Sequence, residues 1–297
     1  MNVQHKFARE WLLEVGYVGS HGLNLSKRWN LNQARLDADP TKPTPIKSRQ
    51  PFPLYGVLLD SAKSGISNYN GLQIRGEKTF SRGFNLLAGY TWSRCQDQDS
   101  SASFAADNQN AYNFDGDYGL CGFHIKHRFN VSGTWEIPLG RGLTGFKGAV
   151  VKGWQLNTIL QTQSGSPFTP SRPGDPARVG ARYLPRFDRI CDGNLPKGRQ
   201  TVLQFFDTNC FVPGQPGRFG TSGRNVIIGP GFKSMDLSLF KNFHIREGAV
   251  LQFRSEFFNA LNHGNYNQPG TRQGFSFGKI LTEQAKREIQ FGLRMTF

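Results

Sequence analysis

Two-residue alternation recurs along this 297-residue chain and closes it. In residues 287–297, Ile289, Phe291, Leu293, Met295 and Phe297 fall on one face of an extended strand, with Glu288, Gln290, Gly292, Arg294 and Thr296 on the other. Trp11, Leu13, Val15 and Tyr17 make an earlier face of the same kind. Leu72, Ile74 and Phe80 make another, and Ser81, Arg82 and Gly83 turn the chain straight into Phe84, Leu86, Ala88, Tyr90 and Trp92, a hairpin with a glycine-containing turn. The pattern returns at Phe129, Val131, Trp135 and Ile137, at Trp154, Leu156 and Leu160, at Met235, Leu237 and Leu239, and at Leu251, Phe253 and Phe257. This predicts eight full strands, preceded at residues 3–7 by what reads as the tail of a strand whose beginning is missing.

The links alternate as strictly as the strands. Short ones fall near residues 8, 82, 143 and 246, and long polar ones at 19–68, 95–124, 164–231 and 261–285, the third rich in proline and without periodicity. Short turns on one side and long loops on the other mark an up-and-down membrane β-barrel, all-β and antiparallel, with periplasmic turns and extracellular loops. No run of 18 or more apolar residues exists, so helical membrane spans are excluded. A soluble β-sandwich alternates equally well but accounts for neither the loop asymmetry nor the terminal Phe297.

In such a barrel the polar face looks inward, so Arg75, Glu77, Glu136, Gln155, Arg254, Glu256 and Arg294 are the candidate lumen-facing residues. Lys78 and Lys241 interrupt the apolar face near short turns, where a long side chain is expected to snorkel to the interface. Tyr17, Phe80, Phe84, Trp92, Trp135 and Phe243 lie near strand ends, as an aromatic girdle requires. An isolated chain of this kind is expected to need detergent.

Composition changes this picture little: 35 Gly and 25 Phe suit many short strands and generous turns. The net charge of +15 would suggest nucleic acid, but residues 97–122 carry Asp97, Asp99, Asp107, Asp115 and Asp117 with no Lys or Arg, whereas 164–231 carry nine basic residues against four acidic. No single basic stripe results, and the charges read as solvated loops, with no nucleic-acid partner. Met1 is followed by no signal-peptide pattern, so the chain reads as part of a longer exported protein. Cys95 and Cys121 bracket one predicted loop and Cys191 and Cys210 lie within another; two local disulfides, or four free thiols, are open.

Candidate chemistry is sparse. GRGLTG at 140–145 satisfies the dinucleotide pattern, but Pro138 and Gly148 argue against a helix opening there, so it reads as a glycine-rich turn. His124 and His127, at the start of a strand, point to opposite faces and cannot chelate together. Asp97, Asp99 and Ser101 have the spacing of a calcium loop but lack its glycine and its bidentate glutamate. No nucleophile elbow, zinc-protease or P-loop motif is present, so no catalytic, cofactor or metal residue is assigned.

One set of stretches resembles a known family: LEVGYVGSHG at 13–22, SNYNGLQ at 67–73, GYTWS at 89–93, HRF at 127–129 with IPLGRG at 137–142, and GRN at 223–225 through DLSLFKN at 236–242 to EFFNALNH at 256–263. Together, in collinear order, they look like the C-terminal barrel of the Oar-like TonB-dependent outer-membrane transporters, whose members often carry a carboxypeptidase-regulatory-like domain. The resemblance implies a 22-stranded barrel with an N-terminal plug and a TonB box. This sequence shows about the last eight strands of such a barrel and neither plug nor TonB box, so coupling to the TonB system would run only through a plug missing here. It also implies that Phe291, Leu293, Met295 and Phe297 form the signal read by the outer-membrane assembly machinery, and that the surrounding partner is outer-membrane lipid. The expected function is a bacterial outer-membrane barrel fragment contributing to uptake of an unknown substrate. A structural or adhesive outer-membrane protein, or a non-functional remnant, is the alternative.

Overall fold

The computed structural model describes residues 1–100, 108–180, 183–284 and 286–297. Its main element is one antiparallel sheet. In chain order the strands are β1 (Asn2–Phe7), β2 (Trp11–Asn30), β3 (Leu59–Ser81), β4 (Phe84–Asp97), β5 (Gly119–Leu120), β6 (His127–Ile137), β7 (Trp154–Gln163), β8 (Pro167–Phe168), β9 (Asp188–Arg189), β10 (Phe211–Val212), β11 (Ile227–Ile228), β12 (Phe232–Arg246), β13 (Ala249–Phe258) and β14 (Glu288–Thr296). Each long strand pairs with the next long strand in sequence, in the order β1-β2-β3-β4-β6-β7-β12-β13-β14, with β5 added to β4. β1 and β14 are the two edges and do not pair with each other.

Alternation is what makes these residues a sheet, and the register preserves it. The row Leu13, Gly76, Ala88, Val131, Leu160 and Met235 is apolar across six strands. Strands of 9 to 11 residues, such as β6, β7, β13 and β14, match a tilted crossing of a bilayer. β3 has 23 residues, so it runs roughly 12 residues, about 40 Å, beyond what a crossing needs. The β3–β4 hairpin turns on Arg82 and Gly83, both at positive φ, the backbone of a two-residue hairpin loop.

The links depart from the sequence reading in three places. The predicted 19–68 loop is only residues 31–58, because β2 and β3 continue through Gly22 and Leu25 with register shifts. The 164–231 stretch is folded where it is described: β8 pairs with β11 and β9 with β10, and Phe168, Phe187, Phe206, Cys210, Phe211 and Ile227 form a buried hydrophobic cluster. The β6–β7 link contains a helix, α1 (Gly145–Val151), opening on the last glycine of GRGLTG, although Pro138 and Gly148 argue against a helix there in the sequence. Gly148 does not break α1 because its bare Cα lets the Leu143 carbonyl approach; a Cβ would lie 2.8 Å from that oxygen. Among the described residues no helix is long and apolar enough to cross a membrane.

Candidate functional site

Two features stand out as places where this chain can meet a ligand or solvent: the polar face of the sheet and the body formed by its long links. Cross-strand partners share a face, and following them places all seven candidate lumen residues on one side. Glu77 lies opposite Leu87 and Leu87 opposite Ser132, four residues before Glu136. Glu136 opposes Gln155, Gln155 opposes Phe240, Phe240 opposes Arg254, and Arg254 opposes Gly292. Arg75 stands two residues from Glu77, Glu256 two from Arg254, and Arg294 faces Gln252.

The face is laced by side-chain hydrogen bonds. Arg75 Nη2 donates to Glu77 Oε2 at 2.6 Å, and Arg75 Nη1 is 3.8 Å from Glu14 Oε2. Glu14 also accepts from Asn2 and Gln4 on β1. Gln155 donates to Asn157 at 2.8 Å, Arg254 Nε to Gln252 at 2.6 Å, and Gln252 in turn to Asn242 at 2.8 Å, while the Arg254 guanidinium sits 4.9 Å from the Phe240 ring centre. Paired charges and carboxamides can hold water or a polar surface through hydrogen bonds; they offer no nucleophile with an activating base.

The four long links all leave the same end of the sheet and are knitted into one cap. Arg186, from the proline-rich link, pairs with Asp117, from the β4–β6 link; their side chains are 1% and 2% exposed. Arg224 pairs with Asp97 at 3% and 7% exposure, and donates to Asp117 O at 2.8 Å and Ser100 Oγ at 3.1 Å. Burial raises the Asp117 carboxyl above its ordinary value, against the pull of Arg186. Gln109 ties the same two links together, accepting from Arg186 N and donating to Gly220 O, and Gln33 reaches in from the β2–β3 link to Gln109 O. Arg218 donates to Asp37 O, and Arg49 to Arg178 O. The β13–β14 link contributes Phe277, whose ring centre is 5.3 Å from both Phe187 and Phe206. The complementary charge of the 97–122 and 164–231 stretches was the sequence signal for this cap; read as solvated loops, it is in fact partly buried as ion pairs.

Cys95 is bonded to Cys121 and Cys191 to Cys210, with Cα separations of 5.4 and 4.9 Å. The first staples the end of β4 to the loop beyond β5; the second ties residue 191 to the aromatic cluster. His124 and His127 serve separate partners: His124 Nδ1 accepts from Cys95 N at 3.3 Å, and His127 Nδ1 shares a 2.8 Å hydrogen bond with Tyr90 OH. Of the calcium-spaced residues, Asp97 is held by Arg224 and Ser101 lies outside the described residues, as does Asp107. Among the described residues no group of three or more His, Cys, Asp or Glu is placed to hold a metal.

The apolar face presents Ile289, Phe291, Leu293 and Met295, with Phe297 beyond them, all exposed. Lys78 and Lys241, on this face, both turn their ammonium groups into the short links beside them. Lys78 Nζ donates to the carbonyls of Ser81 and Phe84 and to Ser81 Oγ, and pairs with Glu10 at 3.6 Å. Lys241, 3% exposed, donates to Ala149 O at 2.7 Å and to Lys152 O, at the C-terminal end of α1. In both places the ammonium group donates to turn carbonyls.

No curated protein matches the chain in sequence. Among solved structures the chain is similar in fold to the ferric-catecholate import receptor Fiu of E. coli K12 (9% identity, 97% of this chain and 26% of that one, TM-score 0.46). It is also similar to the siderophore receptor PiuA of Acinetobacter baumannii (11%, 99% and 27%, 0.47) and to the outer membrane transporter YddB of Escherichia coli (9%, 100% and 32%, 0.49). The chain thus spans about a quarter to a third of the length of these proteins. A family profile described as an outer membrane beta barrel domain matches residues 1–290. An apolar face on one side of a sequentially paired antiparallel sheet, a polar face on the other and long links at one end are what a membrane β-barrel requires, and with nearly its whole length matched the chain belongs to that family: it is an outer membrane β-barrel domain protein.

Proposed function

We propose that the chain is the C-terminal barrel segment of an Oar-like TonB-dependent outer-membrane receptor, its polar face lining an uptake path and its cap forming part of the outer gate. The observation that carries this reading is the single polar face: Arg75, Glu77, Glu136, Gln155, Arg254, Glu256 and Arg294 lie on one side of a membrane sheet whose other side is apolar. A water-filled or plugged interior is the environment that such a face requires. Coupling to the TonB system would run through a plug outside this sequence, and Phe291, Leu293, Met295 and Phe297 would be the elements read by the assembly machinery. The knitted cap favours a second reading, a surface-contact protein that transports nothing.

Single cysteines distinguish these. In outer membranes carrying the folded protein, Arg254→Cys and Glu256→Cys are expected to react with a water-soluble maleimide and Phe253→Cys and Phe257→Cys to be protected. Protection at 254 and 256 alongside labelling of the cap would favour the contact reading, and labelling at 253 and 257 would overturn the assignment of faces.

A further inference from the structure

The β6–β7 link differs in kind from the other short turns. It is longer, it contains α1, and residues 137–153 include Arg141, Lys147 and Lys152 with no acidic residue. Arg141 and Lys147 are exposed. On α1 itself, Phe146 is 83% exposed and Val150, one turn on, is also exposed, so an apolar edge runs beside the cations. The link is held firmly at the foot of the sheet. Lys241 binds the last carbonyls of α1, Trp154 Nε1 donates to Val150 O at 3.1 Å, and Asn242 N donates to Gly153 O at 2.9 Å. Gly153 sits at φ 75°, and a Cβ there would lie 2.6 Å from the Asn242 carbonyl.

Immediately above the link, on the apolar face, lies a groove of about 480 Å³ lined by Phe84, Leu86, Trp135, Leu156 and Thr158. Its floor is Gly133, flanked in register by Leu86 and Thr158, where a missing side chain leaves a dent between larger neighbours. The groove belongs to the face that meets outer-membrane lipid, and its Trp135–Leu156 pair stands one same-face pair from Ile137 and Trp154, between which the basic link runs. A groove of hydrocarbon character beside a link whose charges are all positive is complementary to one molecule type, an acyl chain carrying an anionic headgroup.

We propose that this rim is a binding site for an anionic phospholipid of the leaflet it faces, with an acyl chain in the Gly133 groove and the headgroup phosphate on Arg141, Lys147 and Lys152. The site would fix the height of the sheet in the bilayer from its short-turn end. It is independent of whether the polar face conducts a substrate.

The test uses the folded chain in phosphatidylcholine vesicles doped either with acyl-brominated phosphatidylglycerol or, at the same level, with acyl-brominated phosphatidylcholine. Trp135 lines the groove and Trp154 adjoins it, so bromine there quenches tryptophan fluorescence. Phosphatidylglycerol is expected to reach half-maximal quenching at a roughly tenfold lower mole fraction than phosphatidylcholine. The triple variant R141Q/K147Q/K152Q is expected to abolish that difference while retaining heat-modifiable migration on a gel. Should the triple variant not fold, Lys147→Glu on the exposed side of α1 replaces it, with the same expected loss. Inorganic phosphate at constant ionic strength is expected not to displace the lipid. Equal quenching by the two lipids, an undiminished preference in the folded variant, or loss of the preference on adding phosphate would each overturn the proposal.

Discussion

Arg224 and Asp97 form an ion pair although 126 residues of chain lie between them, and both side chains are nearly sealed from solvent. The pair joins the end of β4 to the last segment of the proline-rich link, and its neighbour Asp117 receives Arg186 from the same link. Removing one partner leaves the other buried and uncompensated, which costs about 3–5 kcal/mol. Arg224→Met is therefore expected to open the cap, raising hydrogen exchange in residues 108–126 and 183–228 without altering the sheet. Asp97→Asn combined with Arg224→Met is expected to recover part of the loss, because no lone buried charge remains. Exchange in the single variant indistinguishable from the parent would refute the pair's role.

The Cys191–Cys210 bond spans a sequence separation of 19 and closes a loop that carries Phe206 of the aromatic cluster, and Cys210 is itself a buried member of that cluster. Closing a loop of that size stabilises by about 3 kcal/mol in the chain-entropy account. C191S/C210S is expected to expose residues 192–209 to limited proteolysis while β6, β7 and β12 stay protected. A thiol count on unreduced, denatured parent protein should find no free groups, since among the described residues all four cysteines are paired.

The sheet was legible in the sequence because a membrane imposes a period of two on every residue that crosses it. Leu237 and Ser238 announce their faces by chemistry alone. Beyond the bilayer that constraint lapses, which is why the continuation of β2 to Asn30 and of β3 from Leu59 left no pattern to read. The cap was hidden for a different reason. Phe168, Phe187, Phe206 and Phe211 have no common spacing, and they become a core only because Phe277 and the buried arginines bring distant links together. Helix α1 escaped because its stability is tertiary: Lys241, 92 residues beyond Ala149, supplies donors to its terminal carbonyls.

His124 gives the cap a pH dependence of definite sign. It is 5% exposed, its Nδ1 accepts the Cys95 amide, and burial, reinforced by Arg94 and Lys126, holds its pKa below the ordinary 6.5. The folded state keeps the ring neutral while the unfolded state binds a proton near 6.5, so stability is present above that pH and is lost as pH falls through and below it. Proteolytic protection of residues 119–126 is expected to weaken between pH 7 and 5 in the parent. His124→Gln, which keeps an acceptor without a titrating group, is expected to flatten the profile; an unchanged slope in the variant would show that another group is responsible.

Lys241 stands on the apolar face of β12, between Trp154 on β7 and Phe253 on β13, and turns its ammonium into the carbonyls of Ala149 and Lys152. Methionine has a similar length and suits the surrounding rings, among them Phe243 with its centre 4.6 Å from Nζ. What Lys241→Met removes is therefore the donor set, leaving at least two carbonyls of the link unpaired at the edge of the hydrocarbon. Each such group costs about 1–3 kcal/mol. The variant is expected to increase hydrogen exchange across residues 144–153 by at least tenfold, while the β7–β12 ladder, whose register runs from Trp154 to Gln163, keeps its protection. If both respond together, Lys241 supports the strands and not the helix.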